Sequence, residues 1–146
     1  MKSIFEQANY RELAERMEKL TPSSKQLWGK MDVGQMLHHL NLAMEVPLGK
    51  TVVGEKPKFF MRMFRGVLYS AKPFGKGDPT PRSFKVTDSF DFLKEKQAAV
   101  ANLQEIYDRG AGSEYRPHAF FGELTTEQWG LHFYKHTDHH LSQFGV

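Results

Sequence analysis

Several stretches of this sequence combine helical apolar spacing with the terminal residues of α-helices, and this pattern constrains the fold most strongly. Residues 13–20 carry an apolar stripe with the three-to-four-residue spacing of an amphipathic helix. Asp32 with Gln35, and Thr125 with Gln128, have the spacing of capping boxes, which predicts helix starts at both places. No stretch shows a sustained strand alternation. The sequence therefore predicts an all-α protein.

The capping residues, prolines and glycines divide the chain into four longer helices and a shorter one. The predicted helices run from Ser3 to about Leu20, from Asp32 to Pro47 or Gly49, over 57–71, from Thr87 or Asp88 to Gly110 or Gly112, and from Thr125 to about Phe144. We therefore expect one domain over residues 1–146, folded as an antiparallel four-helix bundle with an extra short helix in the 55–72 region.

The composition excludes several classes of protein. The chain has no cysteine, so disulfides, thiolate catalysis and cysteine-based zinc sites are excluded. Its content of 40% hydrophobic and 25% charged residues is typical of globular proteins. No apolar run approaches the roughly 20 residues that span a bilayer, and the charged amino terminus has no signal-peptide core, so we expect a cytoplasmic protein.

Six of the seven histidines fall in two short windows, QMLHHL and LHFYKHTDHHLSQF. His136 and His140 are one helical turn apart and share a predicted inward face with Trp129 and Phe133. His39 lies at the centre of the apolar face of the second helix. Three buried imidazoles are costly without polar partners, and one shared metal ion would satisfy a nitrogen of each. The pattern favours a metal site formed by His39, His136 and His140.

The alternatives to this site are specific. A single buried histidine is more often a hydrogen-bonded core residue than a ligand, and an HxxxH pair alone is a weak signal. The motif HExxH is absent, so the pattern lacks the glutamate base of a zincin protease. His132 and His139 are interpreted as groups that flank the ligands or orient them, and His118 either as a surface residue of a loop or as a residue near one end of the bundle. A site made only of nitrogen ligands accepts zinc, nickel or iron.

The segments LWGKMDVGQMLHHL, FFGELTTEQWG and HTDHHLSQFG, in this order, resemble the DinB/YfiT-like superfamily of metalloenzymes, and an uncharacterised branch of it in particular. The resemblance implies a four-helix bundle and a divalent metal, usually zinc or nickel, held by His39, His136 and His140. Gln143 matches a glutamine that often follows the last ligand, although Ser142 replaces the glycine that commonly precedes it. Relatives include transferases and isomerases that depend on low-molecular-weight thiols.

These features lead us to expect a metal-dependent enzyme, either a thiol-dependent transferase or a metal-assisted hydrolase. The alternative is a helical bundle that binds a metal or a partner without catalysis. Because the chain has no cysteine, a thiol would arrive as a small-molecule cosubstrate. Gln143, Gln35 and His139 are candidates to orient the imidazoles.

Residues 50–85 contain nine lysine and arginine residues against two acidic residues, within a chain of net charge +3. Such a segment either forms a solvated basic face or attracts an anion. We predict that Arg62, Arg65 and Lys72 bind an anionic cosubstrate. No RNA-recognition motif is present, and we expect neither a nucleic acid nor a membrane as partner.

Apolar residues also lie outside the two histidine faces. They are Leu37, Leu40 and Met44 on the second helix and Leu131 and Leu141 on the last. A helix that is apolar on more than one side either packs against its own chain on each of these sides or packs against another subunit. This pattern predicts a homodimer.

Overall fold

The computed structural model describes residues 1–54, 57, 59–78 and 80–146, and it contains five α-helices and three short 3₁₀ turns in that part of the chain. The helices are α1 Gln7–Glu18, α2 Val33–Leu48, α3 Gly66–Tyr69, α4 Phe92–Arg109 and α5 Thr126–Gln143, and the turns are Phe59–Phe64, Arg82–Phe84 and Gly110–Gly112. Within these ranges the structure has no β-strand, which confirms the all-α prediction. Lys56 and Lys58 of the basic segment lie outside the described residues.

Both predicted capping boxes are present. The Asp32 carboxylate accepts a hydrogen bond from the backbone N–H of Gln35 at 2.8 Å, and the Thr125 hydroxyl accepts one from Gln128 at 3.2 Å. Each side chain satisfies an N–H group that the first helical turn would otherwise leave free. At the other end of α2, Gly49 has a left-handed backbone with φ of 79°. These local signals fix the starts of α2 and α5 and the end of α2.

The predicted helix cap at Ser3 is wrong. Helix α1 begins at Gln7, and the Ser3 hydroxyl accepts a hydrogen bond from the N–H of Phe5 instead. The preceding segment is held by packing rather than by helix formation, because Ile4 is completely buried and its N–H donates to the carbonyl of Gly130 at 3.1 Å. Burial of Ile4 against α5 therefore overrides the local capping preference.

The predicted helix over 57–71 is two shorter elements, a 3₁₀ turn at Phe59–Phe64 followed by α3. None of the six residues of the turn is buried, so no packing face stabilises a continuous amphipathic helix there. Helix α4 also begins later than predicted. Its cap is Asp91 rather than Thr87 or Asp88, and the Asp91 carboxylate accepts from the N–H of Lys94 at 2.8 Å.

The four long helices form a bundle in which α1 and α2 each pack against both α4 and α5. Ile4 contacts Gly130, whereas Arg16 donates to Ser142 at 2.9 Å, so α1 and α5 run in the same direction. Helices α1 and α4 are antiparallel, because Tyr10 hydrogen-bonds to Gln104 whereas Lys96 donates to the carbonyl of Glu18. Helix α2 runs parallel to α4, with Asn41 at Glu95 and Lys50 at Glu105, and therefore antiparallel to α5. This mixture is possible because a long connection between α2 and α4 returns the chain to the opposite end of the bundle.

A buried polar network joins the parallel helices α2 and α4. The amide of Asn41 donates to the Glu95 carboxylate at 2.8 Å, and Asn102 donates to the Asn41 oxygen at 3.1 Å. Nδ1 of His38 lies 3.2 Å from the same Glu95 carboxylate but makes no hydrogen bond in this geometry. The network fixes the register of α2, and with it the position of the next residue, His39.

The apolar residues that predicted a homodimer are mostly buried within this chain. Leu37, Leu40, Met44 and Leu141 are at most 2% exposed and belong to the bundle core. They therefore provide no face for a second subunit, and the homodimer stays a prediction. In the described part of the chain, no helix combines the length and the apolar character needed to cross a membrane.

Candidate metal centre

The antiparallel packing of α2 on α5 brings His39, His136 and His140 together. The ring centre of His39 lies 5.1 Å from that of His136 and 4.7 Å from that of His140, and the two rings on α5 are 4.7 Å apart. One ring nitrogen of each residue lies within 4.8 Å of those of the other two, and the Nε2 atoms of His39 and His136 are 3.2 Å apart. The three histidines predicted from the sequence thus form one cluster.

A backbone carbonyl sets the tautomer of His39. Its Nδ1 lies 3.0 Å from the carbonyl oxygen of Phe84. Because a carbonyl can only accept a hydrogen bond, Nδ1 of the neutral ring carries the proton. The lone pair of Nε2 therefore faces His136. Phe84 belongs to the 3₁₀ turn in the long connection, and the sequence alone did not associate it with the site.

A side-chain amide sets the tautomer of His140 in the same way. The Gln143 oxygen lies 2.9 Å from Nδ1 of His140, and the Gln143 nitrogen donates to the carbonyl of Trp28 at 2.8 Å. The Trp28 carbonyl fixes which end of the amide faces the ring, so His140 donates through Nδ1 and keeps Nε2 unprotonated. Gln143 therefore contacts the last histidine of the cluster, and its role in orienting a metal ligand stays a prediction.

Gly29 gives the Gln143 amide the space it occupies. A Cβ atom at this position would lie 2.5 Å from the Gln143 nitrogen, and the backbone φ of 83° is in the left-handed region. For both reasons, a residue with a side chain could replace Gly29 only with strain. The Trp28–Gly29 pair of the sequence motif therefore acts on the site through Gln143, because it holds the amide that orients His140.

Burial keeps the three imidazoles neutral. It lowers the pKa of His140 to about 3 and lowers that of His39, although the Phe84 carbonyl acts in the opposite direction on His39. Burial is also the main cause of the lowered pKa of His136, and the two neighbouring histidines add to it. Neutral imidazoles with free lone pairs are metal ligands rather than cations.

The spacing and chemistry of this donor set fit a divalent ion. Nitrogens bound at about 2.0–2.1 Å in a tetrahedral site are roughly 3.3–3.4 Å apart, close to the separation of His39 and His136. With two Nδ1 protons fixed by oxygen acceptors, the Nε2 lone pair of His39 needs a proton or a cation opposite it. The three histidines are therefore the residues that could hold a metal.

A cavity of about 210 Å³, called here the histidine chamber, adjoins the cluster. It lies between α2, α5, residues 118–121 and parts of the chain between Leu68 and Phe84. His39, His136 and His140 form part of its wall, and His136 is the least buried of the three. No lysine or arginine is among the described residues that line it. The chamber is thus a mainly apolar pocket with the histidine cluster on one wall.

The other candidates for orienting the imidazoles lie in different places. His139 lines the histidine chamber, with its ring centre 5.1 Å from that of His140. The side chain of Gln35 is used in the α2 capping box and donates to the carbonyls of Thr87 and Asp88, both at 3.2 Å. Gln35 therefore supports the start of α2 rather than a ring of the cluster.

The basic residues predicted to bind an anionic cosubstrate do not line the histidine chamber. Arg65 donates to the carbonyl of Glu123 at 3.2 Å, the Arg62 side chain approaches Gly122, and Lys72 is exposed. Their role in substrate binding stays a prediction. Any anion that they bind would lie outside the pocket that contains the histidine cluster.

The prediction that His118 is a surface residue is wrong. His118 is partly buried, lines the histidine chamber, and has its pKa lowered to about 4 by burial. Its Nδ1 accepts hydrogen bonds from the backbone N–H groups of Phe120 and Phe121, at 3.2 and 3.3 Å. The adjacent aromatic pair was the available signal, because two consecutive phenylalanines beside a histidine suggest a packed loop rather than a solvated one.

Replacing Gln143 with leucine is expected to weaken metal binding by about 10- to 100-fold, the usual cost of removing a partner that orients a ligand. The change leaves His140 Nδ1 without an acceptor and frees the ring to rotate or change tautomer. Isothermal titration of metal-free protein with Zn²⁺ measures the effect. The matched control is leucine at the exposed Gln97 on α4, and equal affinity in both variants would contradict the role of Gln143.

Comparison with known proteins gives a family but no activity. A family model described as "Protein of unknown function (DUF1569)" matches residues 5–145, nearly the whole chain. No curated protein and no solved structure matches the sequence. The three histidines, Gln143 and the Trp28–Gly29 pair all fall inside the matched region. The chain belongs to the DUF1569 family of proteins of unknown function.

Proposed function

We propose that this protein is a metal-dependent enzyme of the DinB/YfiT-like type. His39, His136 and His140 hold a divalent ion, and zinc and nickel are proposed ahead of iron. One observation carries the proposal. Two of the three clustered imidazoles have their Nδ1 protons directed to fixed oxygen acceptors, which leaves their Nε2 lone pairs available. Histidines that bind a metal through one ring nitrogen regularly donate a hydrogen bond from the other.

Three nitrogen ligands leave a coordination position open, as in catalytic rather than structural zinc sites. A divalent ion bound there supplies Lewis acidity, which lowers the pKa of water to about 7 or favours the thiolate form of a thiol. The residues of the chain position the ligands and line the space beside the ion. Gln143 and the Phe84 carbonyl orient the rings, and the histidine chamber provides a mainly apolar surface beside them.

The histidine chamber favours catalysis over storage of a metal. A protein that only retains or senses an ion needs no ligand-sized cavity beside it, whereas an enzyme needs space for a substrate next to the open position. A thiol-dependent transferase and a metal-assisted hydrolase both fit this arrangement. In the first case the thiol is a small-molecule cosubstrate, because the chain has no cysteine of its own.

The function is tested by metal analysis followed by turnover. Protein purified without a histidine tag is expected to contain about one divalent ion per chain, or to take up one Zn²⁺ or Ni²⁺. The loaded protein is then assayed with small thiols paired with electrophiles, and with neutral esters and amides, beside the His136→Ala variant. Turnover that the variant loses supports the enzyme. Stoichiometric metal without turnover across the panel favours the non-catalytic binding protein, and a protein that binds no metal contradicts both.

A further inference from the structure

Four large apolar side chains of the 3₁₀ turn between α2 and α3 are exposed, and this group is called here the apolar turn. Phe59 and Met63 are 82% and 81% exposed, and Phe60 and Phe64 are each more than half exposed. None of the six residues of the turn is buried, so the turn stands out from the bundle. Single exposed apolar residues are common on proteins, but four within six consecutive positions form a patch that marks an interaction surface.

Contacts on one side hold the apolar turn in place. Arg65 donates to the carbonyl of Glu123 at 3.2 Å, and the Arg62 side chain approaches Gly122. Leu68, which follows in α3, is buried in the bundle core. The two arginines therefore lie at the base of the turn, next to the segment that precedes α5, while the four apolar side chains face solvent.

The surroundings of the apolar turn are basic. Residues 59–78 contain a single carboxylate, that of Asp78, and four exposed cations, which are Arg62, Arg65, Lys72 and Lys76. None of the four cations forms an ion pair with a described residue. Residues 50–85 carry nine basic against two acidic side chains, whereas the rest of the chain is net negative. This charge distribution favours a negatively charged partner at the apolar turn.

A second copy of the chain fits this surface poorly. A two-fold interface brings the same patch of both copies together, so Arg62 and Arg65 of one copy would meet those of the other. Like charges at close range oppose such a contact. The turn also projects, and none of its residues lines the histidine chamber. A bilayer needs no matching groove, because lipids rearrange around an inserted side chain.

We propose that the apolar turn inserts into the surface of a membrane that contains anionic lipids. The phenylalanine and methionine side chains enter the boundary between headgroups and acyl chains, and the arginines at the base of the turn meet the lipid phosphates. A protein held in this way lies on the membrane without spanning it.

This proposal goes beyond the proposed function and does not depend on the metal centre. It also replaces the sequence-based expectation that no membrane is a partner. The sequence predicts a continuous helix over 57–71, and the exposure of the 3₁₀ turn at Phe59–Phe64 became visible only in the structure.

Vesicle binding tests the charge requirement. Untagged full-length protein is mixed with phosphatidylcholine vesicles, with or without about one third phosphatidylserine, and the bound fraction is measured by sedimentation. We expect at least about tenfold tighter binding to the anionic vesicles, because each basic residue near such a surface contributes to affinity. Binding should weaken between about 0.1 M and about 1 M salt, since the screening length shortens.

The double variant Phe59→Ser/Met63→Ser tests the apolar requirement. We expect it to bind anionic vesicles at least about tenfold more weakly, because it loses apolar area that the membrane would cover. The matched control is Leu27→Ser/Leu93→Ser, whose residues are 70% and 64% exposed. Leu27 donates to the carbonyl of Gln143, and Leu93 lies at the start of α4, so both are at the opposite end of the bundle. The control should bind as wild type does, and circular dichroism establishes that both variants are folded.

A single label reports which part of the molecule enters the membrane. The chain has no cysteine, so Met63→Cys and Leu93→Cys each offer one site for a polarity-sensitive fluorophore. With anionic vesicles, we expect the emission of the label at position 63 to shift to the blue and that of the label at position 93 to stay in place.

Several results would overturn the proposal. They are a wild-type protein that does not bind anionic vesicles, equal binding to both kinds of vesicle, equal losses in the two double variants, and an unshifted label at position 63. A wild-type dimer that Phe59→Ser/Met63→Ser dissociates would assign the turn to a subunit interface instead. None of the substituted residues lines the histidine chamber, so the proposed function stands or fails independently of these results.

Discussion

Replacing His136 with alanine is expected to abolish stoichiometric metal binding, with an affinity loss of at least about 100-fold. Removal of a residue that only hydrogen-bonds to a metal ligand costs up to about 100-fold, and removal of a ligand itself should cost at least as much. His136 is central to the cluster, since its ring lies within 5.1 Å of both others and its Nε2 is 3.2 Å from that of His39. Without it, two nitrogens from different helices remain. Titration with Zn²⁺ and metal analysis after dialysis measure the loss.

His38→Ala is the matched control for this experiment. His38 is adjacent to His39 in sequence, but its ring contacts Glu95 and stacks on Phe90 at 3.7 Å between ring centres, away from the cluster. We expect it to retain one metal ion per chain. Retention of full stoichiometry by His136→Ala, or equal loss in both variants, would mean that the three clustered histidines are not the ligand set.

Acidification from about pH 7.5 to about pH 5 is expected to lower the free energy of unfolding of the metal-free protein by about 4 kcal/mol. The pKa values of His140 and His118 are lowered by burial to about 3 and about 4, whereas an unfolded histidine titrates near 6.5. At pH 5 both side chains are protonated in the unfolded chain and neutral in the folded one. Each contributes about 2 kcal/mol to the loss.

The sign of this effect follows from the lowered pKa values. Stability from a neutral buried histidine is complete above the unfolded pKa and decreases as the pH falls below it, until the folded pKa is reached. His39, His132 and His136 act in the same direction, because burial lowers their pKa values too. The paired carboxylates Glu12 and Glu105 have lowered pKa values and stay ionised at pH 5, so they add little within this window.

Urea unfolding followed by circular dichroism at the two pH values measures this dependence. Because small domains are stable by about 5–15 kcal/mol, we expect the metal-free protein to approach unfolding near pH 5. His118→Gln should remove about half of the loss assigned to the two histidines, or about 2 kcal/mol. Equal stability at both pH values would show that these histidines are solvated in the folded protein.

The local signals of the sequence located α2 and α5 accurately. A capping box uses residues three apart, so Asp32 with Gln35 and Thr125 with Gln128 needed no information from the rest of the fold. Where packing dominates, the prediction was less accurate. Ser3 lies where a cap is plausible, yet burial of Ile4 against α5 determines the conformation there.

Residue spacing alone predicted that His39, His136 and His140 face inward, and it placed Gln143 on the same face of α5. Spacing determines which residues share a face of a helix, and this does not depend on what the helix packs against. The burial of His118 and the hydrogen-bond acceptor of His39 could not be predicted from residue spacing. Both depend on how a connecting segment folds over the bundle, as the contact between His39 and the Phe84 carbonyl illustrates.

The sequence by itself determined the helical class, the starts of α2 and α5, and the three inward histidines, because each follows from interactions within about one turn of helix. The tertiary structure alone decided that α1 runs parallel to α5, that the histidine chamber exists, and that the Phe84 carbonyl contacts Nδ1 of His39. These features arise where segments far apart in the chain meet, and no spacing within a single segment encodes such a meeting.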